Sequence, residues 1–82
     1  MNDADRRRIS SLLASLFFAG GCGQARALRE DLEAVHGVVA TLDRVRQDLN
    51  ALHDLGLVKK EGDVVALTQE GRETAQGARR LP

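Results

Sequence analysis

The sequence predicts a single small domain, mainly α with a small β-hairpin (α+β), in the order helix, helix, helix, strand, strand, helix. Two patterns carry this prediction. Apolar residues recur at spacings of three and four through most of residues 9–52, which is typical of amphipathic helices. Residues 57–68 instead hold two short apolar runs around Gly62-Asp63, a pair that suits a tight hairpin turn. The 82 residues suffice for one domain with a thin core.

The first third of the chain predicts two helices separated by glycines. We expect residues 1–4 to be loose and Asp5 to cap the first helix. The apolar stripe of that helix comprises Ile9, Leu12, Leu13, Leu16 and Phe17. The cluster Gly20-Gly21-Cys22-Gly23 predicts a turn, because three glycines in four residues are poor helix material. A second helix is expected from about Gln24 to Val35, ended by His36-Gly37. Its apolar face comprises Ala25, Leu28, Leu32 and Val35.

A third helix is expected after a short extended connector. The connector holds Val38-Val39, which we expect to fill the core between the helices. Thr41 is a good N-cap, because its hydroxyl can accept a free backbone N–H of the first turn. The helix is expected to run to about Leu55, with Gly56 supplying the left-handed residue beyond its end. Its apolar face comprises Leu42, Val45, Leu49 and Leu52.

The hairpin and a fourth helix complete the domain. A two-residue Gly62-Asp63 turn predicts a strand register that pairs Val58 with Leu67 and Lys60 with Val65.

Thr68 is expected to cap a fourth helix from Gln69 to about Ala78. Gly71 and Gly77 are expected to weaken that helix, and residues 79–82 to be loose.

Composition argues against several classes of function. Twelve basic and twelve acidic residues cancel, which argues against a dedicated DNA-binding protein, because such proteins usually carry net positive charge. With two phenylalanines as its only aromatics, the chain has no stacking platform for single-stranded nucleic acid. A single cysteine and the lack of a membrane-length apolar run predict a cytoplasmic protein. Cys22, His36 and His53 match no zinc signature, so we expect no metal and no cofactor. We expect no enzymatic activity, because so small a core leaves no room for a pocket beside it.

Two segments resemble a known superfamily. DLNALHDLGLV and VVALTQEGRETA resemble the recognition helix, wing and closing helix of the winged helix-turn-helix superfamily. More narrowly, DRVRQDLNALHDLGLV with ALTQEGRETAQGARRLP is similar to small winged-helix proteins of Mu-like phages and prophages, a family without an established biochemical role. The resemblance covers about half the chain and implies a third helix that enters the DNA major groove. The chain differs from typical regulators of the superfamily in lacking a long dimerisation helix and an effector domain.

The resemblance implies three groups of candidate DNA contacts. They are Thr41, Arg44, Arg46, Gln47 and Asn50 on the third helix, Lys59 and Lys60 on the wing, and Arg6, Arg7 and Arg8 at the N-terminus. Each group also has a simpler interpretation: a solvated helix face, an edge strand protected by lysines, and a solubilising terminus. Asp43 and Asp48 argue against DNA, because each would approach a polyanion.

Two functional hypotheses follow. The first is a double-stranded DNA-binding module, a small phage- or prophage-type transcriptional regulator or accessory protein. It would act as a homodimer, and Phe18, which lies outside the core stripe of the first helix, could form a dimer contact. The second is a winged-helix protein-interaction module, such as a phage accessory factor that binds a host or phage protein. Zero net charge favours the second, and the helix-then-hairpin pattern favours the first.

Overall fold

The computed structural model describes residues 1–81, which form four helices and a three-stranded antiparallel sheet. In chain order the elements are α1 (Asp3–Phe18), β1 (Cys22–Gln24), α2 (Ala25–His36), α3 (Leu42–Asp54), β2 (Val58–Glu61), β3 (Val64–Leu67) and α4 (Gln69–Ala75). The prediction of a mainly α domain with a small β component is confirmed. Pro82, the last residue of the predicted loose tail, lies outside the described residues. Within residues 1–81, no helix combines the length and the apolar character needed to cross a membrane.

The helix starts follow from their capping side chains. α1 begins earlier than expected, because Asn2 rather than Asp5 is its N-cap: the Asn2 side-chain oxygen accepts the Asp5 N–H at 2.8 Å. Thr41 caps α3 and Thr68 caps α4, each accepting an N–H three residues ahead at 3.1 Å, as predicted. The first four residues are therefore largely part of a capped helix rather than a loose terminus.

The core lies between α1, α2, α3 and the inner face of the sheet. Its buried side chains include Leu12, Leu13, Leu16, Leu32, Val45, Leu49, Leu52, Val58 and Val65. Two predicted core residues are instead on the surface: Val35 is 67% exposed and Val39 is 79% exposed. At the end of α2 it is His36 that lies against α1, where its Nε2 is 3.1 Å from Ser15 Oγ. Val38 alone of the connector valines packs against the core.

A third strand forms where the sequence predicts only a turn. β1 pairs with β3, so the sheet order is β1-β3-β2 and the predicted element order lacks one strand. The glycine-rich segment carries no alternating pattern that would indicate a strand. It becomes one because β3 presents an open edge, and the backbone groups on that edge require partners. The Leu67 N–H accordingly donates to the Gly21 carbonyl at 2.7 Å.

The predicted hairpin register is confirmed. Val58 pairs with Leu67 and Lys60 with Val65. Gly62 adopts a φ of 62°, and Asp63 keeps a negative φ, so only the first central residue of the turn is left-handed, as in a type II′ turn. Lys59 and Glu61 then lie on the outer face of the sheet, while Lys60 is turned towards α3.

The fourth helix differs from its prediction in length and in the role of a glycine. α4 ends at Ala75, not Ala78. Gly71 is buried, and a Cβ at this position would lie 1.9 Å from the Leu57 carbonyl oxygen, so α4 and the start of β2 approach too closely for any side chain. Arg79, expected in a loose tail, is fixed by an ion pair with Glu73 at 2.5 Å.

Candidate nucleic-acid interface

Helix α3 and the β2–β3 hairpin are tied together by side-chain contacts. Arg46 on α3 donates two hydrogen bonds to Asp63 in the hairpin turn, at 3.1 and 2.7 Å. Lys60 Nζ on β2 donates to the side-chain oxygen of Asn50 on α3. These bonds join the predicted third-helix and wing residues into one surface, which we call the α3–hairpin face. It consists of Arg44, Arg46, Gln47, Asn50 and Lys60 together with Asp43 and Asp63. We include Lys59 and Glu61 of the same hairpin, although their side chains lie on the outer face of the sheet.

The positive charge of the Arg46 guanidinium is compensated by carboxylates of the same chain. Its two-bond contact with Asp63 is the geometry in which guanidinium and carboxylate pair most strongly. The Asp63 hydrogen bond raises the pKa of Arg46, and the Arg46 hydrogen bond lowers the pKa of Asp63. Asp43 lies on the other side of Arg46 at 3.8 Å. Arg46 therefore meets an incoming phosphate only after Asp63 has been displaced.

Other candidate side chains on the α3–hairpin face are exposed to solvent. Arg44 and Gln47 are exposed on the first turns of α3, and Lys59 is exposed on β2. Within residues 1–81, no ion pair engages Arg44 or Lys59. Thr41 is exposed, but its hydroxyl oxygen already accepts the Arg44 N–H at 3.1 Å. Arg44, Gln47 and Lys59 are thus the groups that a partner meets first.

The three N-terminal arginines do not form one patch. Successive residues on an α-helix are rotated by about 100°, so neighbours diverge. Arg6 donates to the Leu81 carbonyl and Arg7 to the His36 carbonyl, each at 3.4 Å. Arg8 turns towards α3 instead. A shared role for the three as phosphate contacts is incompatible with this divergence.

Arg8 and Asp48 form a buried ion pair that joins α1 to α3. Arg8 donates to both carboxylate oxygens of Asp48, with the Nη2 contact at 3.0 Å, and also to Asp5 at 2.9 Å. Only 13% of the Arg8 side chain and 5% of the Asp48 side chain are exposed. The Asp48 hydrogen bond raises the pKa of Arg8. We therefore exclude Arg8 from the interface and correct the view that Asp48 would approach DNA.

The sequence contained a signal for this pair. Asp48 lies three residues after Val45 and four before Leu52, which are both buried, so the helical spacing places its carboxylate on the apolar face. A charge on that face requires a partner, because an unpaired buried charge is strongly destabilising. The partner itself, 40 positions away, could not be identified from spacing alone.

The remaining sulfur and imidazole groups lie apart from the α3–hairpin face or serve the fold. Cys22 is exposed on β1. His36 contacts Ser15, and His53 Nδ1 lies 3.2 Å from the Val58 carbonyl oxygen. Among residues 1–81, no group of three or more His, Cys, Asp or Glu side chains is arranged to hold a metal ion.

Comparison with known proteins finds no family, no curated protein and no solved structure that matches this chain.

Proposed function

We propose that this protein is a winged-helix module that binds double-stranded DNA through the α3–hairpin face, as a small phage- or prophage-type regulator or accessory factor. The observation that carries the proposal is the joint exposure of Arg44 and Gln47 at the start of α3, beside a hairpin that carries Lys59. Arginine can bond guanine through two hydrogen bonds, and glutamine can do the same for adenine. A helix about 10–12 Å across fits a major groove about 12 Å wide.

The hairpin contacts support this proposal, because they fix where the second binding element lies. Two strands alone are marginally stable in water. Here β3 is also paired with β1, and the turn is bonded to α3 through Asp63 and Arg46. Lys59 and Arg44 are consequently held on elements whose relative position is set before any DNA arrives, which lowers the entropy lost on binding.

The charges of the face limit the strength of binding. Arg44, Lys59 and Lys60 are the cations on it that are not paired with an acid within residues 1–81. Three phosphate contacts give a slope of log K against log salt of about −2.7. Raising the salt concentration about fourfold then weakens binding about 40-fold. A module with so few contacts needs two copies on two half-sites for useful affinity.

The test is fluorescence anisotropy of a labelled duplex at about 50 mM and about 200 mM salt. We expect Arg44→Ala and Lys59→Ala to weaken binding and to reduce the slope by about one each. Arg80→Ala is the charge-matched control, because Arg80 lies beyond α4 and should leave binding unchanged. Absence of salt-sensitive binding at micromolar protein would refute the proposal.

Homodimerisation is part of this proposal, and Phe18 is its candidate contact. The Phe18 side chain is 82% exposed at the end of α1, and its ring lies edge-to-face with that of Phe17 at 5.8 Å. Beside it lies a hollow of about 280 Å³ lined by Ala27 and Leu28. A protruding ring next to a hollow suits an interface in which two copies exchange the same contact. Sedimentation velocity should show a dimer that Phe18→Ser converts to monomer, and an unchanged distribution would exclude this contact.

A protein-interaction module is the second candidate function. The observation that favours it is the charge compensation around Arg46, where Asp43 and Asp63 compensate the cation that lies at the centre of the face, between helix and hairpin turn. This candidate predicts no duplex binding at about 50 mM salt, and retention of the fold when Arg44 is replaced. The anisotropy titration therefore separates the two functions.

A further inference from the structure

A second cationic site lies on the opposite side of α1 from α3. A hollow of about 280 Å³ opens between α1 and residues 74–81, and Arg6, Arg79 and Arg80 line it. We call it the arginine hollow. Arg6 and Arg8 differ by about 200° around α1, so Arg6 faces the hollow while Arg8 reaches α3. The arginine hollow is therefore separate from the α3–hairpin face.

The positive charge of the arginine hollow is only partly compensated. Glu73 pairs with Arg79 at 2.5 Å, and this hydrogen bond lowers the pKa of Glu73 and raises that of Arg79. Arg6 bonds only a backbone carbonyl, that of Leu81, and Arg80 is exposed with no ion pair among residues 1–81. Arg6 and Arg80 thus line the same hollow without an ion-pair partner among residues 1–81. Like charges in one hollow repel, and an anion placed between them relieves that repulsion.

The lining of the hollow selects among anions. Guanidinium groups bind phosphate through two parallel hydrogen bonds, and the Ser10 side chain lies in the same lining. Thr74 also lines the hollow, but its hydroxyl already donates to the Glu70 carbonyl at 2.8 Å. The half-buried Leu81 and the buried Leu13 add an apolar wall. A site of this size and mixed lining suits a small molecule with one strongly charged group and an apolar body. A phosphate monoester carries a charge of about −1.5 to −2 at pH 7, which matches the two uncompensated arginines.

We propose that the arginine hollow binds a small organic phosphate monoester, with the phosphate held by Arg6 and Arg80 and its apolar body against Leu13 and Leu81. The proposal is independent of DNA binding, because the residues involved lie outside the α3–hairpin face. The doubly charged phosphate and the apolar body both contribute, so an anion that lacks either should bind more weakly.

The test uses three probes on the full chain, with binding followed by amide chemical shifts in NMR spectra. Phenyl phosphate has both features, inorganic phosphate lacks the apolar body, and phenyl sulfate carries a single charge. We expect phenyl phosphate to bind about tenfold more tightly than either of the others, and to shift the amides of Ser10 and Thr74. Equal affinity for inorganic phosphate would show a general anion site and overturn the proposal, as would the absence of shifts up to about 10 mM probe.

Single substitutions test whether phenyl phosphate binds in the arginine hollow. Arg80→Ala should weaken phenyl phosphate about tenfold, the loss expected for one charge-assisted hydrogen bond. Arg80 is exposed, so its replacement should leave the melting temperature unchanged. Arg44→Ala makes the same change in net charge on the other face and should leave phenyl phosphate binding intact. If Arg80→Ala and Arg44→Ala have equal effects, binding reflects net charge alone and the proposal fails. Neither result depends on whether the protein binds duplex DNA.

Discussion

Replacing Asp63 with asparagine should strengthen DNA binding. Asp63→Asn keeps the size of the side chain but removes the charge that holds Arg46 through two hydrogen bonds. The position of the hairpin is kept, because the residue 63 carbonyl still accepts the Ala25 N–H and β3 stays paired with β1. Arg46 then becomes a fourth cation able to contact phosphate, beside Arg44, Lys59 and Lys60. The slope of log K against log salt should change from about −2.7 to about −3.6, and affinity should rise about eightfold at 0.1 M salt, the gain from one additional phosphate contact.

The assay is the anisotropy titration with a labelled duplex at several salt concentrations. Glu61→Gln is the matched control, because it removes one negative charge from the same hairpin without releasing an arginine paired within residues 1–81. If the gain arose from net charge alone, the two variants would behave alike. The reasoning is refuted if Asp63→Asn leaves both affinity and slope unchanged, or if the gain survives Arg46→Ala in the Asp63→Asn background.

Three further predictions concern the fold. Asp48→Ala should destabilise the protein by about 3 kcal/mol in urea denaturation, because it leaves the buried Arg8 guanidinium with Asp5 as its one remaining ionic partner among residues 1–81. The double replacement Arg8→Met with Asp48→Leu should recover most of that loss. Gly71→Ala should lower the free energy of unfolding by at least about 2 kcal/mol, because the new Cβ would collide with the Leu57 carbonyl. This loss outweighs the roughly 1 kcal/mol by which alanine favours a helix over glycine. The control Glu70→Ala should change the free energy of unfolding by no more than about 0.5 kcal/mol. Because the Arg46 hydrogen bond lowers the pKa of Asp63 below 3.8, the contribution of that pair is present above pH 3.8 and is lost as the pH falls through the lowered value. Urea denaturation between about pH 2 and about pH 5 should show a larger loss in the wild type than in Asp63→Asn, in which the Glu73–Arg79 pair still loses its contribution.

Local pattern predicted those parts of the fold that depend on nearby residues. Thr41 and Thr68 cap helices because the groups they satisfy lie three residues away, and the Gly62-Asp63 turn fixes the register of its own strands. Strand β1 was missed because it exists only through pairing with β3, some 40 residues later, and its own glycines indicate a turn. The role of Gly71 was missed for the same reason. The carbonyl that leaves no room for a side chain there is that of Leu57, which lies just before β2 and outside α4.

The sequence was enough to predict which residues of α3 are exposed in the candidate interface, but not which charged side chains pair with each other. Spacing alone placed Arg44 and Gln47 on the outer face of α3, where they are exposed. It gave no means to see that Arg46 and Asp63, 17 residues apart, neutralise each other. Nor could it show where Arg6, Arg7 and Arg8 make their contacts, which are with Leu81, the end of α2 and α3. Three consecutive arginines look like one basic patch in the sequence, but a helix directs their side chains about 100° apart.

The attachment of the hairpin turn has a consequence for the motions of the molecule. The Asp63 carbonyl accepts the N–H of Ala25, the first residue of α2, at 2.9 Å, and its carboxylate is bonded to α3. One residue of the turn is therefore bonded to two helices at once, so the turn cannot open without releasing both. The first N–H groups of a helix have no partner within the helix and usually exchange readily with solvent, whereas the Ala25 amide should exchange only when a larger cooperative unit opens. Amide exchange at Ala25 thus reports whether the hairpin moves alone or together with α2 and α3.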